Sequence, residues 1–93
     1  MKTTIDGKRY NSDRCEDLAE YNHRSNGNYS GRSTLMMASD GTYLVEVASN
    51  GQDCYLTDDF GPCYDVNEFI ERARLTDEQE ERLVALGLLE IVR

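Results

Sequence analysis

Four residues in this chain are of the kinds that bind transition metals or act as nucleophile and base: Cys15, His23, Cys54 and Cys63. Together they could make a tetrahedral zinc site, or His23 could activate a neighbouring thiol or hydroxyl. Their spacing opposes both. Cys15 and His23 lie eight apart and Cys54 and Cys63 nine apart, whereas structural zinc sites use spacers of about two to four residues. Three unclustered cysteines do not form a disulfide framework, so free thiols are expected. His23 lies in NHRSNGNYSGRS, a stretch of Asn, Ser and Gly in which a solvated imidazole is the simpler expectation. No catalytic residue, cofactor or metal is therefore expected, and the chain is not read as an enzyme.

Carboxylates are the abundant chemical group. The net charge is −8, and residues 51 to 93 carry −7 of it, with eleven acids against Arg72, Arg74, Arg82 and Arg93. Paired acids serve glycoside hydrolysis, but in such numbers they lose diagnostic value. The asymmetry points instead to function through surface electrostatics. One group, Asp53, Asp58, Asp59 and Asp65, surrounds the exit from a sheet. The other, Glu68, Glu71, Asp77, Glu78, Glu80 and Glu81, runs along two late helices. Carboxylates three and four apart on a helix start from Cβ atoms about 5–6 Å apart, a spacing comparable to that of successive backbone phosphates. Such a face can mimic nucleic acid. The competing reading pairs Glu68 with Arg72 and Glu78 with Arg82 at i, i+4 and leaves a merely solvated surface. Among the six tyrosines, Tyr29 and Tyr64 fall in expected loops and join the acids as candidate partner contacts. Nucleic acid itself would be repelled.

The elements that must position these groups follow from turn and cap signals. With 93 residues the chain is one domain with no room for a second core. No basic start before an apolar core and no long apolar run is present, so neither an export signal nor an anchor is expected and a cytoplasmic location is the default. Asp6-Gly7 between Ile5 and Tyr10 predicts a short strand or hairpin. Asn11 and Ser12 as caps, with Cys15, Leu18, Ala19 and Asn22 spaced by three and four, predict a helix from about Asp13 to Tyr21. Residues 22–33 are expected as an exposed loop. Leu35 to Ala38 and Tyr43 to Val47, joined by Asp40-Gly41, predict antiparallel strands, with a third at Cys54 to Leu56. Asp58 to Pro62 then breaks the sheet. Its Asp59-Phe60-Gly61 triplet resembles the kinase magnesium motif, but nothing else in the chain supplies that motif's context.

Asp65 and Glu68 predict a capped helix with Val66, Phe69, Ile70 and Ala73 on one face, while a weaker reading makes residues 69–75 a strand. Thr76 and Gln79 open a second helix burying Leu83 and Leu86, ended by Gly87, and Leu88 to Val92 follow as a strand or plug. The expected fold class is α+β: a three- to four-stranded antiparallel sheet with one helix before it and two after it on one face.

Gly7-Lys8-Arg9-Tyr10-Asn11-Ser12, the strand ending Ser39-Asp40-Gly41-Thr42-Tyr43-Leu44-Val45, and Leu75-Thr76-Asp77-Glu78-Gln79 together resemble a small domain of prophages and integrative elements. The chain departs from that pattern at Asn11-Ser12, where Asp-Thr is usual, and at Arg74, where Pro is usual. In size, charge and lack of catalytic motif it also resembles the anti-CRISPR class of small acidic inhibitors. The resemblance implies stoichiometric inhibition of a host nucleic-acid-binding complex, plausibly a CRISPR effector, in a bacterial cytoplasm. The alternative is a regulatory or assembly module of a mobile element that recognises another protein through loop tyrosines and a sheet edge.

Overall fold

The computed structural model describes residues 1–51 and 56–93. Two turns of the same chemistry organise it. Asp6-Gly7 and Asn26-Gly27 each place consecutive residues at positive φ, 49° and 78° in the first and 53° and 81° in the second. This is what a two-residue type I′ hairpin demands. The first joins β1 (Lys2–Ile5) to β2 (Lys8–Asn11), in agreement with the Asp-Gly signal. The second joins β3 (Glu16–Ser25) to β4 (Asn28–Met37) and overturns the expected helix and loop.

No helix precedes the sheet. Asn11 does act as a cap, its Oδ1 accepting from the Asp13 amide at 3.0 Å, but it caps only a 3₁₀ turn, Ser12–Arg14, after which the chain extends. The period of β3 is two: Tyr21, His23 and Ser25 are half-buried, while Glu20, Asn22 and Arg24 are exposed. A bulge disguises this alternation. Leu18 is an extra residue between the pairs Asp17↔Met36 and Ala19↔Leu35, so Leu18 and Ala19 are both buried at adjacent positions. With Cys15 three residues earlier, they imitate a helical stripe. Residues 22–33 lack aliphatics because the buried positions of β4 here are Ser30, Gly31 and Ser33.

After the Asp40-Gly41 turn, β5 (Tyr43–Ser49) and β6 (Asp59–Pro62) complete an antiparallel sheet in the order β3-β4-β5-β6. The segment expected to break the sheet is thus its last strand. Pro62 is tolerated because an edge strand leaves one row of backbone groups outside the ladder. Of the expected third strand, Cys54 and Tyr55 lie outside the described residues and Leu56 belongs to no strand.

Both helices follow the strands: α1 (Val66–Arg72) and α2 (Asp77–Ala85). The fold is α+β, with a four-stranded and a two-stranded antiparallel sheet. Asp65 Oδ1 caps α1 by accepting from the Glu68 amide at 3.0 Å. Thr76 and Gln79 form a complete capping box at 3.0 and 3.2 Å. Gly87, at φ 76°, turns the chain away after α2. The strand alternative over 69–75 falls with α1. Of the expected strand or plug, Leu88 and Leu89 pack on the core without forming a strand, whereas Ile91 and Val92 are exposed.

The sheet buries both of its faces. Ala19, Tyr21, Leu35 and Val45 meet Phe69, Ile70 and Leu83 from the helices. On the other face Met36, Leu44 and Phe60 meet Tyr10 and Ile5 from the β1–β2 hairpin. A Cβ at Gly31 would collide with the Ala48 carbonyl oxygen and the Leu56 side chain. Gly31→Ala is expected to lower stability by about 1–3 kcal/mol, read as a lower urea midpoint at constant m. An unchanged midpoint would mean that both neighbours move aside freely.

Candidate functional site

Most of the acids of the two helices are exposed. Glu68 and Glu71 on α1, and Asp77, Glu78 and Glu81 on α2, are exposed, whereas Glu80 is half-buried. The i, i+4 pairs that would neutralise them do not form. Arg82 reaches across to β3 and binds Glu16 through two parallel hydrogen bonds, Nε to Oε2 at 2.7 Å and Nη2 to Oε1 at 2.9 Å. Arg72 lies over the Tyr21 ring, 5.7 Å from its centroid, with Nη1 3.5 Å from the phenol oxygen. Among the described residues, none of the six helical carboxylates has an ion-pair partner. Asp77, Glu78 and Glu80 also lie in the first turn of α2, where negative charge complements the helix dipole.

The acids at the sheet exit serve the main chain instead. Asp58 Oδ1 accepts from the Ser49 amide at 2.7 Å, Asp59 Oδ1 from the Phe60 amide at 2.9 Å, and Asp65 caps α1. Asp53 lies outside the described residues. The structure therefore separates the two groups: turn and cap acids at the sheet exit, uncompensated acids on the helices. Tyr64 is 94% exposed and lies in the loop between β6 and α1. Tyr29, 42% exposed, is the second residue of β4 and is not in a loop.

Of the residues with nucleophile or ligand chemistry, Cys54 lies outside the described residues. His23 is not a solvated loop residue. It lies on β3, half-buried beside Tyr21, with Nε2 2.6 Å from Ser33 Oγ. A histidine against a serine is the geometry of an activated nucleophile, but Ser33 is only 2% exposed, which closes its hydroxyl to any substrate. Burial first, and then the nearby acids, raise the Cys15 thiol; burial also raises Cys63. Both are held away from the thiolate form that attacks or ligates. Among the described residues, no three of His, Cys, Asp and Glu converge where they could hold a metal. Nor is any described helix long and apolar enough to cross a membrane.

A second charged feature has the opposite sign. Arg24 on β3 and Arg72 and Arg74 at the end of α1 border one cleft with Tyr21, Asn22 and Glu20. The sequence contained a signal for it in Asn26-Gly27, which puts Tyr21 and Arg24 on a strand. In comparisons with known proteins, no family model matches the chain, and no curated protein or solved structure matches it.

Asp17 and Glu20 on β3 and Glu46 on β5 bring like charges together as well. Folding raises the Asp17 carboxyl above its ordinary value, first by partial burial of the carboxyl although the residue as a whole is exposed, then by Glu46 and Glu20, against the lowering effect of Arg32. A carboxyl raised by folding costs stability once pH exceeds its folded value, and costs nothing below its unfolded value. Asp17→Asn is therefore expected to stabilise the protein at pH 7, with the advantage vanishing as pH falls through the carboxylate range. Glu16, lowered chiefly by its hydrogen bonds to Arg82, has the reverse dependence. Glu16→Gln is expected to destabilise at pH 7, with the deficit closing in acid. Thermal melts from pH 3 to 7 read both, and parallel curves for wild type and variants would refute the assignment.

Proposed function

We propose that this chain is a stoichiometric inhibitor of the anti-CRISPR kind, occupying a basic nucleic-acid groove of a host protein complex with its helical carboxylates. One observation carries the reading: Arg72 and Arg82, the cations placed to neutralise Glu68 and Glu78, turn to the sheet and leave the outer helix face uncompensated. Such a face attracts a dense array of Lys and Arg, and positive grooves that track phosphates present that array. The raised thiols and the closed His23–Ser33 pair favour inhibition by binding over modification of the target. The site of action is the cytoplasm of a bacterial host.

The acids that matter are Glu68, Glu71, Asp77, Glu78 and Glu81, with Glu80 at the margin. Asp58, Asp59 and Asp65 act indirectly, through the turns and the cap they hold. The fully exposed Tyr64 supports the other reading, a protein-interaction module of a mobile element, since an aromatic in that position adds contact area without serving the core.

The test uses purified CRISPR effector complexes and their fluorescent target duplexes. Inhibition of duplex binding is expected to saturate at a fixed molar ratio. It should weaken steeply between about 50 and 500 mM salt, because screening acts on many exposed pairs at once. The combined variant Glu71→Gln, Glu78→Gln, Glu81→Gln is expected to melt within a few degrees of wild type, since exposed charges contribute little to folding. It should lose at least about tenfold in inhibitory potency, on the order of 1.4 kcal/mol. Undiminished inhibition by this variant, salt-independent inhibition, or full inhibition at a hundredth of the target concentration would each reject the mimic.

A further inference from the structure

The free edge of β3 is bordered by cations on both sides of the sheet. β3 pairs only with β4, and among the described residues no other backbone hydrogen bond reaches Glu16–Ser25. Its register is regular from Ala19 to His23 and is bounded by irregularities at Asp17/Ala19 and His23/Arg24. Five residues of extended chain span about 17 Å at 3.3–3.4 Å per residue, enough to accept one short strand. Successive β3 side chains point to opposite faces. Tyr21 therefore lies on the helix side, with Arg72 above its ring and Arg74 nearby, while Asn22 and Arg24 lie on the other side.

The cleft over this edge has a volume of about 290 Å³, at the lower limit of small-molecule pockets, about 300–1,000 Å³. It is a groove across an edge more than a chamber. Its one acid, Glu20, is compensated by Arg32 at 3.6 Å. Arg24, Arg72 and Arg74 have no acidic partner among the described residues.

We infer that this edge binds an extended acidic segment of a partner protein, which adds as a fifth strand beside β3. Main-chain pairing would satisfy the open row of amides and carbonyls, as in strand addition generally. Two adjacent acidic residues in that segment point to opposite faces. One meets Arg72 and Arg74, the other Arg24, and guanidinium–carboxylate bonds fix the register. A nucleic acid has no peptide groups to offer the edge and is repelled by the net charge of −8. The site is distinct from the carboxylate face and does not depend on it.

A capped peptide, Thr-Val-Glu-Glu-Val-Thr, titrated into the ¹⁵N-labelled protein provides the test. Amide shifts are expected to concentrate at residues 19–24, with slowed hydrogen exchange along β3. The same peptide with glutamines for glutamates, and the same peptide N-methylated on alternate residues, are each expected to bind at least about tenfold more weakly. Arg24→Glu and Arg74→Glu, both at exposed positions, should weaken the parent peptide similarly while keeping a folded spectrum. Equal binding of the N-methylated peptide, or displacement by inorganic phosphate at matched charge, would reduce the site to a simple anion cleft and overturn the proposal. Tighter binding of oligothymidylate, or self-association of the free protein that the peptide dissolves, would assign the edge to a different occupant and overturn it equally. Shifts confined to α1 and α2 would also refute it.

Discussion

Leu35 and Met36 are neighbours on β4, point to opposite faces of the sheet, and are both buried, at 0% and 5% exposure. Everything else in the architecture answers to that constraint. A strand wetted on one face needs a single covering layer, whereas this one needs two, and a chain of 93 residues must supply both from short elements. The β1–β2 hairpin closes one face with Tyr10 and Ile5; α1 and α2 close the other with Phe69, Ile70 and Leu83. Helices of seven and nine residues have no independent stability, so they persist through packing and capping. Most of their remaining surface is free to be charged.

How legible this was from sequence divides along a physical line. Several signals contained within four residues match the structure: Asp65 and Thr76 cap their helices, Gly87 ends α2, and Asp6-Gly7 closes the first hairpin, whereas the Asn11 cap opens only a 3₁₀ turn. Signals that depend on a distant strand were hidden. Leu18 and Ala19 form a helical-looking pair only because a bulge buries both, and that bulge exists through pairing with Leu35 and Met36. The polar stretch 22–33 resembled a loop because its buried positions are Ser and Gly, which fit where β4 is crowded by β5 and Leu56. Asn26-Gly27 is a hairpin signal inside that stretch, with both residues at positive φ. At β6, Gly61-Pro62 signals a break in a central strand but is permissible at an edge.

The same line divides the candidate site. That the late helices carry a cluster of acids is legible in the sequence, but the half-burial of Glu80 and the lack of ion-pair partners are not. An i, i+4 pair is worth about 0.2–0.5 kcal/mol, and a bidentate guanidinium–carboxylate contact is stronger and geometrically more specific. Arg82 therefore leaves Glu78 for Glu16, 66 positions earlier, and Arg72 turns to Tyr21, 51 positions earlier. Fold-stabilising contacts thus recruit the very cations that local reasoning assigns to the helix surface. The uncompensated carboxylate face is a by-product of tying α1 and α2 to β3.

That recruitment also gathers positive charge where the sheet is open. α1 ends beside β3, so Arg72 and Arg74 join Arg24 at the strand edge while the acids of the helices remain on their outward side. A small domain with a basic strand edge and an acidic helix face risks head-to-tail association, because two unlike patches on one molecule form a contact that does not close. Two features oppose this outcome. The irregularities flanking Ala19–His23 shorten the pairing edge to five residues, and bulges of this kind are a common way of blunting an edge. The net charge of −8 sets whole molecules against each other at a distance, before any local attraction can act. A short acidic segment escapes both restraints: it fits the five-residue edge, and its few charges meet three guanidiniums at close range.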